Sequence, residues 1–244
     1  MNTSALILSA GLGTRLYPLT AYKPKALVEY QGKPLLEHAL NKVMEAGIQH
    51  IVINVHHFGE QIIDFINQHH FNANIEISYE REKLMDTAGG LKFAEPFFKT
   101  AEKILLYNVD VITNMDLGRF MQLEQAESKK KQTERLNKPG IATLAVRHRQ
   151  TNRYFLFEEP ELRLCGWENI QTTEKKMCYE AENHIPLAFS GIHIVDKKIL
   201  DLIPNNEKIS FTHLYLKLAK EYVIQGYLHD EDSWQDMGKS NIIL

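Results

Sequence analysis

The chain has 244 residues, 44% apolar and 24% charged, with a formal net charge of −3 at pH 7. This is the composition of a soluble globular protein with a good core, and its slightly acidic balance argues against a nucleic-acid binder. The two cysteines, Cys165 and Cys178, make no C-x-x-C, which argues against zinc or a disulfide framework and fits a reducing compartment. There is no run of 18 apolar residues and no basic flank before the short apolar run at the start, so neither a membrane partner nor a signal peptide is expected, and the cytoplasm is the expected location.

Leu6 to Ala10 reads as a buried parallel strand leading into a glycine turn, Gly11-Leu12-Gly13-Thr14-Arg15. Pro34 to Gly47 reads as a helix with Leu36, Leu40, Val43 and Met44 on one face and Gly47 as its stop. Ile51 to Val55 is a second apolar strand, Phe58 to His69 a helix, and Asn74 to Tyr79 a strand alternating Ile75, Ile77 and Tyr79. A loop, Glu80 to Asp86, leads to Thr87-Ala88-Gly89-Gly90 and a short helix ending near Pro96. Lys103 to Tyr107 is another apolar strand, running into Asn108-Val109-Asp110. This β-α-β-α-β-α-β order predicts a mostly parallel sheet with helices on both faces, and ligands beyond the carboxyl ends of its strands.

Further on, Asp116 is read as the cap of a helix reaching the charged run Glu127-Ser128-Lys129-Lys130-Lys131, itself a solvated helix end or loop. Ile141 to Val146 is a strand, and Tyr154 to Ile170 short strands with turns. Leu187 to Val195 is a strand carrying Phe189-Ser190-Gly191-Ile192. Asp196 to Ile203 reads as a helix closed by Pro204, Phe211 to Tyr222 as amphipathic, and Val223 to Leu228 as a strand before Trp234-Gln235-Asp236-Met237-Gly238. With no internal repeat and no linker, residues 1–244 are expected to form one domain.

The opening stretch suits phosphate. Gly11 and Gly13 allow positive φ and close approach to the backbone, and exposed N–H groups in such a turn form a nest for phosphate oxygens. Arg15, Lys23, Lys25 and Lys33 face Glu29 alone within the stretch, a local positive field. A dinucleotide fingerprint would need a third glycine where Leu16 stands, and G-x-x-x-x-G-K-[ST] is absent. Taken alone, Asp110 reads as a turn or helix-capping aspartate, Asp86 or Thr87 as a helix N-cap, and Gly191 as a packing glycine.

Leu8 to Thr20, together with Lys23-Pro24-Lys25 and Gly32-Lys33-Pro34-Leu35, resembles the signature of the sugar-1-phosphate nucleotidylyltransferases. The resemblance recurs in family order at Thr87–Gly90, Asn108–Asp110, Phe189–Ile192 and Asp236–Gly238. It looks most like the short bacterial N-acetylmuramate-1-phosphate uridylyltransferases, with mannose- or heptose-1-phosphate guanylyltransferases as near rivals. It implies a three-layer α/β/α, Rossmann-like fold with a mostly parallel mixed sheet and a β-rich sugar-binding lobe. Residues 1–115 would form the nucleotide half and 116–244 the sugar-phosphate half. The implied reaction joins an NTP (UTP or GTP) to a sugar 1-phosphate, releasing pyrophosphate, in a monomer or homodimer; a place in cell wall recycling would follow for the muramate enzymes.

Residue by residue, the resemblance implies nucleotide contacts from Leu8, Ala10, Gly11, Gly13 and Thr14, with Arg15 on the triphosphate and Lys25 on the α-phosphate. Asp86, Thr87, Gly90 and Asn108 would line the base or sugar pocket, and Ser190 and Gly191 would contact the sugar. Asp110 and Asp236 would hold Mg²⁺, which favours one or two carboxylates plus phosphate oxygens and water. The cluster Arg147, Arg149 and Arg153 is read as surface, with reach to a sugar phosphate or lactyl carboxylate as the alternative. His56, His57 and His184 are read as structural or rim residues.

Several positions depart from the commonest family form: Tyr17, Ala26, Asp86, Ala88 and above all Val109, whose branched side chain is expected either to crowd the sugar phosphate or to be absorbed by a wider pocket. These departures leave base and sugar identity open. Against the catalytic reading stands a non-catalytic sugar-nucleotide-binding subunit, whose mark would be loss of Arg15 or of a metal carboxylate; neither is lost.

Overall fold

A computed structural model describes residues 2–131 and 138–238, the side chains of residues 125–131 excepted. The strand of the opening stretch, β1, spans Thr3–Leu8, so the turn begins at Ser9. Two short strands, β2 (Glu29–Tyr30) and β3 (Lys33–Pro34), pair antiparallel before helix α1, Leu35–Glu45. Next come β4 (His50–Val55), α2 (Gly59–Gln68), β5 (Asn74–Tyr79), α3 (Asp86–Phe93) and β6 (Lys103–Asn108). Strand β7 (Val111–Thr113) precedes α4 (Leu117–Lys131), where Asp116 Oδ1 accepts the Arg119 N–H as the expected N-cap. The side chains of the expected charged run, Glu127-Ser128-Lys129-Lys130-Lys131, lie outside the described residues.

The second half continues with β8 (Gly140–Arg147), β9 (Arg153–Glu158), β10 (Arg163–Asn169), β11 (Glu174–Met177) and β12 (His184–Asp196). It closes with α5 (Ile199–Leu202), α6 (Phe211–Leu218), β13 (Val223–Leu228) and β14 (Trp234–Asp236). Two expectations are corrected here, and one strand is new. The helix expected from Asp196 to Ile203 is only the single turn α5, because β12 itself runs on to Asp196. The amphipathic stretch is helical only to Leu218. Strand β11, all of it exposed, has no apolar alternation to announce it.

The main sheet runs β11-β10-β13-β8-β12-β6-β1-β4-β5, with β9 branching onto β10 and β12. Strands β5, β4, β1 and β6 are mutually parallel, whereas β12 joins β6 and β8 antiparallel. The β-rich second half therefore extends the sheet of the first half rather than forming a separate one.

Period-2 alternation along the strands splits the core in two. Leu6, Leu106, Leu144 and Val195 face α3, α5 and α6 through Leu91, Ile199, Phe211 and Leu214. Ile7, Leu105, Tyr107 and Ile194 face α1, α2 and α4 through Leu36, Leu40, Ile62 and Phe120. Apolar burial on both faces gives the expected three layers. Val109 belongs to this second core and is fully buried. Neither of the two outcomes expected for its branched side chain is seen: it packs into this core and does not line the cleft described below.

Candidate active site

Parallel register sets the floor of the cleft. Leu8 lies level with Asn54 on one side and Asn108 on the other, so three strands end together. Asn54 ties these ends: its Oδ1 accepts the Ser9 N–H at 2.8 Å, and its Nδ2 donates to Glu80 Oε1 at 2.9 Å. The other Glu80 oxygen accepts the Met85 N–H at 2.8 Å. Burial pushes the Glu80 carboxyl up, against the downward pull of the Met85 and Asn54 hydrogen bonds.

Of the two turn glycines, only Gly13 adopts positive φ (65°), and its carbonyl accepts the Thr20 hydroxyl at 2.9 Å. A side chain on Gly13 would meet Thr20, whereas Gly11 opens onto free space in the cleft. The expectation of positive φ thus holds for Gly13 alone; Gly11 keeps the backbone approachable. Lys33 turns to Glu37 at 2.8 Å, so of the four clustered cations only Arg15 and Lys25 line the cleft.

The cleft has a volume of about 330 Å³. Of the residues picked out in the sequence, Leu8, Ala10, Gly11, Arg15, Lys25, Asp86, Thr87, Asn108 and Asp110 line it; Asn54, Leu84 and Lys208 join them. Gly13, Thr14, Gly90, Ser190, Gly191 and Asp236 are not among its lining residues. Gly90 packs so closely beneath it that a Cβ there would sit 2.7 Å from Glu80 Oε1 and 2.8 Å from Asn54 Nδ2.

At the start of α3 Asp86 Oδ1 accepts the Thr87 N–H at 2.7 Å, while Met85, the residue before the helix, supplies no side-chain cap. The Ala88 and Gly89 N–H groups both donate to the Ile209 carbonyl at 3.0 Å, and Thr87 Oγ1 accepts the Phe211 N–H at 3.0 Å. The N-cap reading is corrected in part: Asp86 satisfies a first-turn N–H from within the helix rather than from the cap position, and Thr87 serves the docked segment instead. Asp86 itself sits at φ 63°, an uncommon conformation for a non-glycine residue. The same docking of residues 209–211 carries Lys208 into the cleft.

Asp110 follows β6, and β7 starts one residue later. Because β14 pairs with β7 in the register Asp236↔Val111, Asp236 is carried back beside Asp110 from 126 positions along the chain, and the Met237 N–H donates to the Asp110 carbonyl at 2.8 Å. A Cβ on Gly238 would lie 2.5 Å from Asp110 Oδ2, 2.9 Å from Asp236 Oδ1 and 2.9 Å from Arg15 Nη2. Both carboxylates and the guanidinium therefore crowd one point that a glycine leaves clear. Lys25 Nζ donates to Asp110 Oδ2 at 2.7 Å, while Arg15 lies 3.9 Å from Asp236. Burial pushes the Asp110 carboxyl up, but Lys25, with help from Arg15, holds it below the ordinary carboxylate range.

The profile of the family described as nucleotidyl transferase matches residues 4–244. The chain belongs to this family. It is 27% identical to the N-acetylmuramate alpha-1-phosphate uridylyltransferase of Caulobacter vibrioides over 96% of this chain and 91% of that protein. It is 30% identical to a mannose-1-phosphate guanyltransferase of Yarrowia lipolytica over 98% of this chain, but spans only 61% of that protein's length. Among solved structures, HddC from Yersinia pseudotuberculosis complexed with GMP-PN superposes with a TM-score of 0.72 at 19% identity, covering 100% of this chain and 96% of that one. That likeness establishes the Rossmann-like nucleotidyltransferase fold.

Within this nucleotidyl transferase, Ser190 and Gly191 lie at an irregularity in β12, between Phe189 and His193. Gly191 needs its φ of 77° and closely abuts Asn108. Ser190 is fully buried: its hydroxyl pairs with His229 Nε2 at 2.7 Å and its carbonyl accepts the Trp234 indole N–H at 2.8 Å. Its side chain is thus engaged inside the protein. His56 Nδ1 lies 2.6 Å from the Glu80 carbonyl and His184 Nε2 3.1 Å from Lys175 Nζ, while His57 is exposed. Cys165 and Cys178 are free thiols, each pushed up to about 11 chiefly by burial, and are protonated at neutral pH. Asn54 and Glu80 are site-shaping residues that sequence reading misses. Their only signal is a polar residue inside an apolar strand and an acid just past a strand end.

Proposed function

We propose that this protein transfers a nucleotidyl group from an NTP to a sugar 1-phosphate, giving an NDP-sugar and pyrophosphate. What carries the reading is the convergence of Arg15, Lys25, Asp110 and Asp236 around Gly238, at the carboxyl ends of β1 and β6. In such a transfer an oxygen of the sugar phosphate forms a bond to the α-phosphorus as the bond to pyrophosphate breaks. Two anions must meet, so fixed positive charge at the meeting point is the main demand on the protein.

Arg15 grips the triphosphate and steadies the departing pyrophosphate, its fork matching phosphate oxygens. Lys25, held at Asp110, faces the α-phosphate. The backbone at Ala10 and Gly11 lies open to the nucleotide, and Asp86, Thr87 and Asn108 border the base and sugar. Two carboxylates crowding one point fit a Mg²⁺ ion, and among the described residues no cluster of three or more metal-binding side chains offers a richer site. Asp110 and Asp236 would hold the ion, which when bound would supply charge that offsets repulsion between the two phosphates.

UTP with N-acetylmuramate 1-phosphate is the preferred pair, supported by the likeness to the Caulobacter protein over most of both chains. GTP with mannose or heptose 1-phosphate is the second reading, supported by the mannose-1-phosphate guanyltransferase. A non-catalytic subunit is disfavoured because all four charged residues are in place. The continuous sheet supports one domain over residues 1–244, with its nucleotide half at 1–115 and sugar-phosphate half at 116–244. No described helix is long and apolar enough to cross a membrane. A cytoplasmic monomer or homodimer serving cell wall recycling completes the proposal.

The test is pyrophosphate release from a panel of NTPs against a panel of sugar 1-phosphates. Release with UTP and N-acetylmuramate 1-phosphate, dependent on Mg²⁺ and abolished by Asp110→Asn, is expected. Preference for GTP with mannose or heptose 1-phosphate selects the second reading. Metal-independent turnover, or a fully active Asp110→Asn variant, overturns the mechanism.

A further inference from the structure

We infer that Arg149 is the receptor for an oxyanion of the sugar substrate. It is one of three clustered arginines, and the fold gives each a different fate. Arg153 is exposed. Arg147 donates to the backbone carbonyls of Asp232 and Asp230 at 3.1 and 3.4 Å, bracing the loop after β13. Arg149 lies with its guanidinium carbon 4.5 Å from the centroid of the Trp234 ring, two residues before Asp236. Its Nη2 donates to the Phe189 carbonyl at 3.1 Å. Its Nε is buried and has no hydrogen-bond partner among the described residues.

The physical problem is a half-buried cation without a counter-ion. Among the described residues no carboxylate forms an ion pair with Arg149; the nearest influence of that sign is Asp236, acting through space. Desolvation lowers the Arg149 pKa and Arg147 adds to the effect, with Asp236 opposing. By contrast Arg163, elsewhere in the second half, is paired with Glu158 at 2.7 Å. A guanidinium taken partly out of water, with most of its five N–H donors unspent, becomes favourable when a planar or tetrahedral oxyanion completes it. The indole face and the Phe189 carbonyl hold the plane of the fork in advance, which limits the side-chain entropy lost on binding.

The location selects the ligand. Trp234 leads into Asp236, and Phe189 leads into Gly191, which abuts Asn108 on the cleft's edge. Arg149 therefore approaches the carboxylate pair from the Asp236 side, just outside the residues that line the cleft. Under the proposed function the triphosphate already has Arg15 and Lys25, whereas the incoming sugar 1-phosphate has no fixed cation assigned to it. The inference rests on that reading. Two groups share the required chemistry: the phosphate common to all sugar 1-phosphates, and a carboxylate carried by some of the sugars.

The chain has only two tryptophans, Trp167 and Trp234. In a Trp167→Phe background the emission reports Trp234, directly against Arg149. Titration with glucose 1-phosphate, with N-acetylmuramate 1-phosphate, with inorganic phosphate and with UTP is expected to move this emission for the sugar phosphates. Arg149→Met should abolish that response. It should also raise KM for the sugar 1-phosphate at least tenfold while KM for the NTP stays within twofold, with the melting temperature as a check on folding. Arg149→Lys should recover only part, since it keeps the charge and loses the fork.

Equal losses for both sugar phosphates assign the phosphate; a loss confined to the muramate compound assigns the carboxylate. An unchanged sugar KM and emission response in Arg149→Met, or a rise in KM for the NTP alone, overturns the inference. If the parent protein turns over no sugar 1-phosphate, the proposed function fails. The emission titration, which needs no turnover, still decides whether Arg149 binds the oxyanion. Should Arg149→Met not fold, Arg149→Gln is subject to the same criteria.

Discussion

Lys25 Nζ and Asp110 Oδ2 are 2.7 Å apart, with 14% and 8% of their side chains exposed. The cation proposed for the α-phosphate thus already holds a carboxylate proposed for the metal. Breaking such a pair from one side leaves an uncompensated buried charge, which costs about 3–5 kcal/mol. Lys25→Met should lower stability by that order in urea denaturation, besides removing activity. The sign with pH also follows. Asp110 titrates lower in the folded than in the unfolded chain, so its contribution is present above an ordinary carboxylate pKa of about 3.9 and is lost as pH falls through its lower native value. Lys25→Met lets burial dominate and raises the native pKa above the unfolded one, so the loss of stability at acid pH due to this group should disappear and stability should instead decline as pH rises through the raised value.

Gly238→Ala separates activity from stability. The added Cβ would meet only side-chain ends: those of Arg15 and Asp236 can swing away, while Asp110 Oδ2 must shift within its pair with Lys25, a smaller cost than the loss of that pair in Lys25→Met. Turnover should nevertheless fall by about 10² or more, as misplaced charge-stabilising groups lose their geometry. Comparing kcat with the midpoint of thermal unfolding checks both halves. A large drop in melting temperature would contradict it.

Arg15 should behave in the same direction for another reason. Its side chain is 63% exposed and its ion pair with Asp236 is long, at 3.9 Å. A surface pair of this kind contributes about 0–1 kcal/mol, and at that exposure and length the lower end applies. Arg15→Ala should leave the denaturation midpoint nearly unchanged while cutting kcat/KM by about 10²–10³.

Asn54→Ala tests the cleft floor. It strands the Ser9 N–H and one Glu80 oxygen, and each buried unsatisfied group costs about 1–3 kcal/mol. Denaturant titration should show a loss of that order. Because burial raises the Glu80 pKa in the folded protein, the native chain keeps a proton that the unfolded chain releases. Stability should therefore decline as pH rises from the ordinary carboxylate range through the native Glu80 value, and Glu80→Gln should flatten that slope.

Much of the architecture was legible because the strands are strongly patterned. Asn74–Tyr79 and Val223–Leu228 begin and end where alternation and apolar runs place them. Strand β11 was not legible, since an exposed edge needs no buried face. In the site, Arg15, Lys25 and Asp110 stood out because short motifs carry their chemistry. Asn54, Glu80 and Lys208 did not, because their roles arise from strand register and from residues 209–211 docking on α3. The burial of Val109 and the inward turn of the Ser190 hydroxyl are packing outcomes that no local spacing encodes.

The place of β12 between β6 and β8 has a consequence for biosynthesis. Strand β6 is complete at residue 108, but the strand that covers its free edge is made only at residues 184–196. A nascent chain emerging from the ribosome thus holds an unpaired, largely apolar strand edge while some seventy-six further residues are added. At about 5–20 residues per second that interval lasts several seconds, long enough for edge-to-edge association between neighbouring nascent chains. Slow translation before residue 184 should lower the soluble yield, and holding chaperones should act on chains arrested between residues 110 and 184.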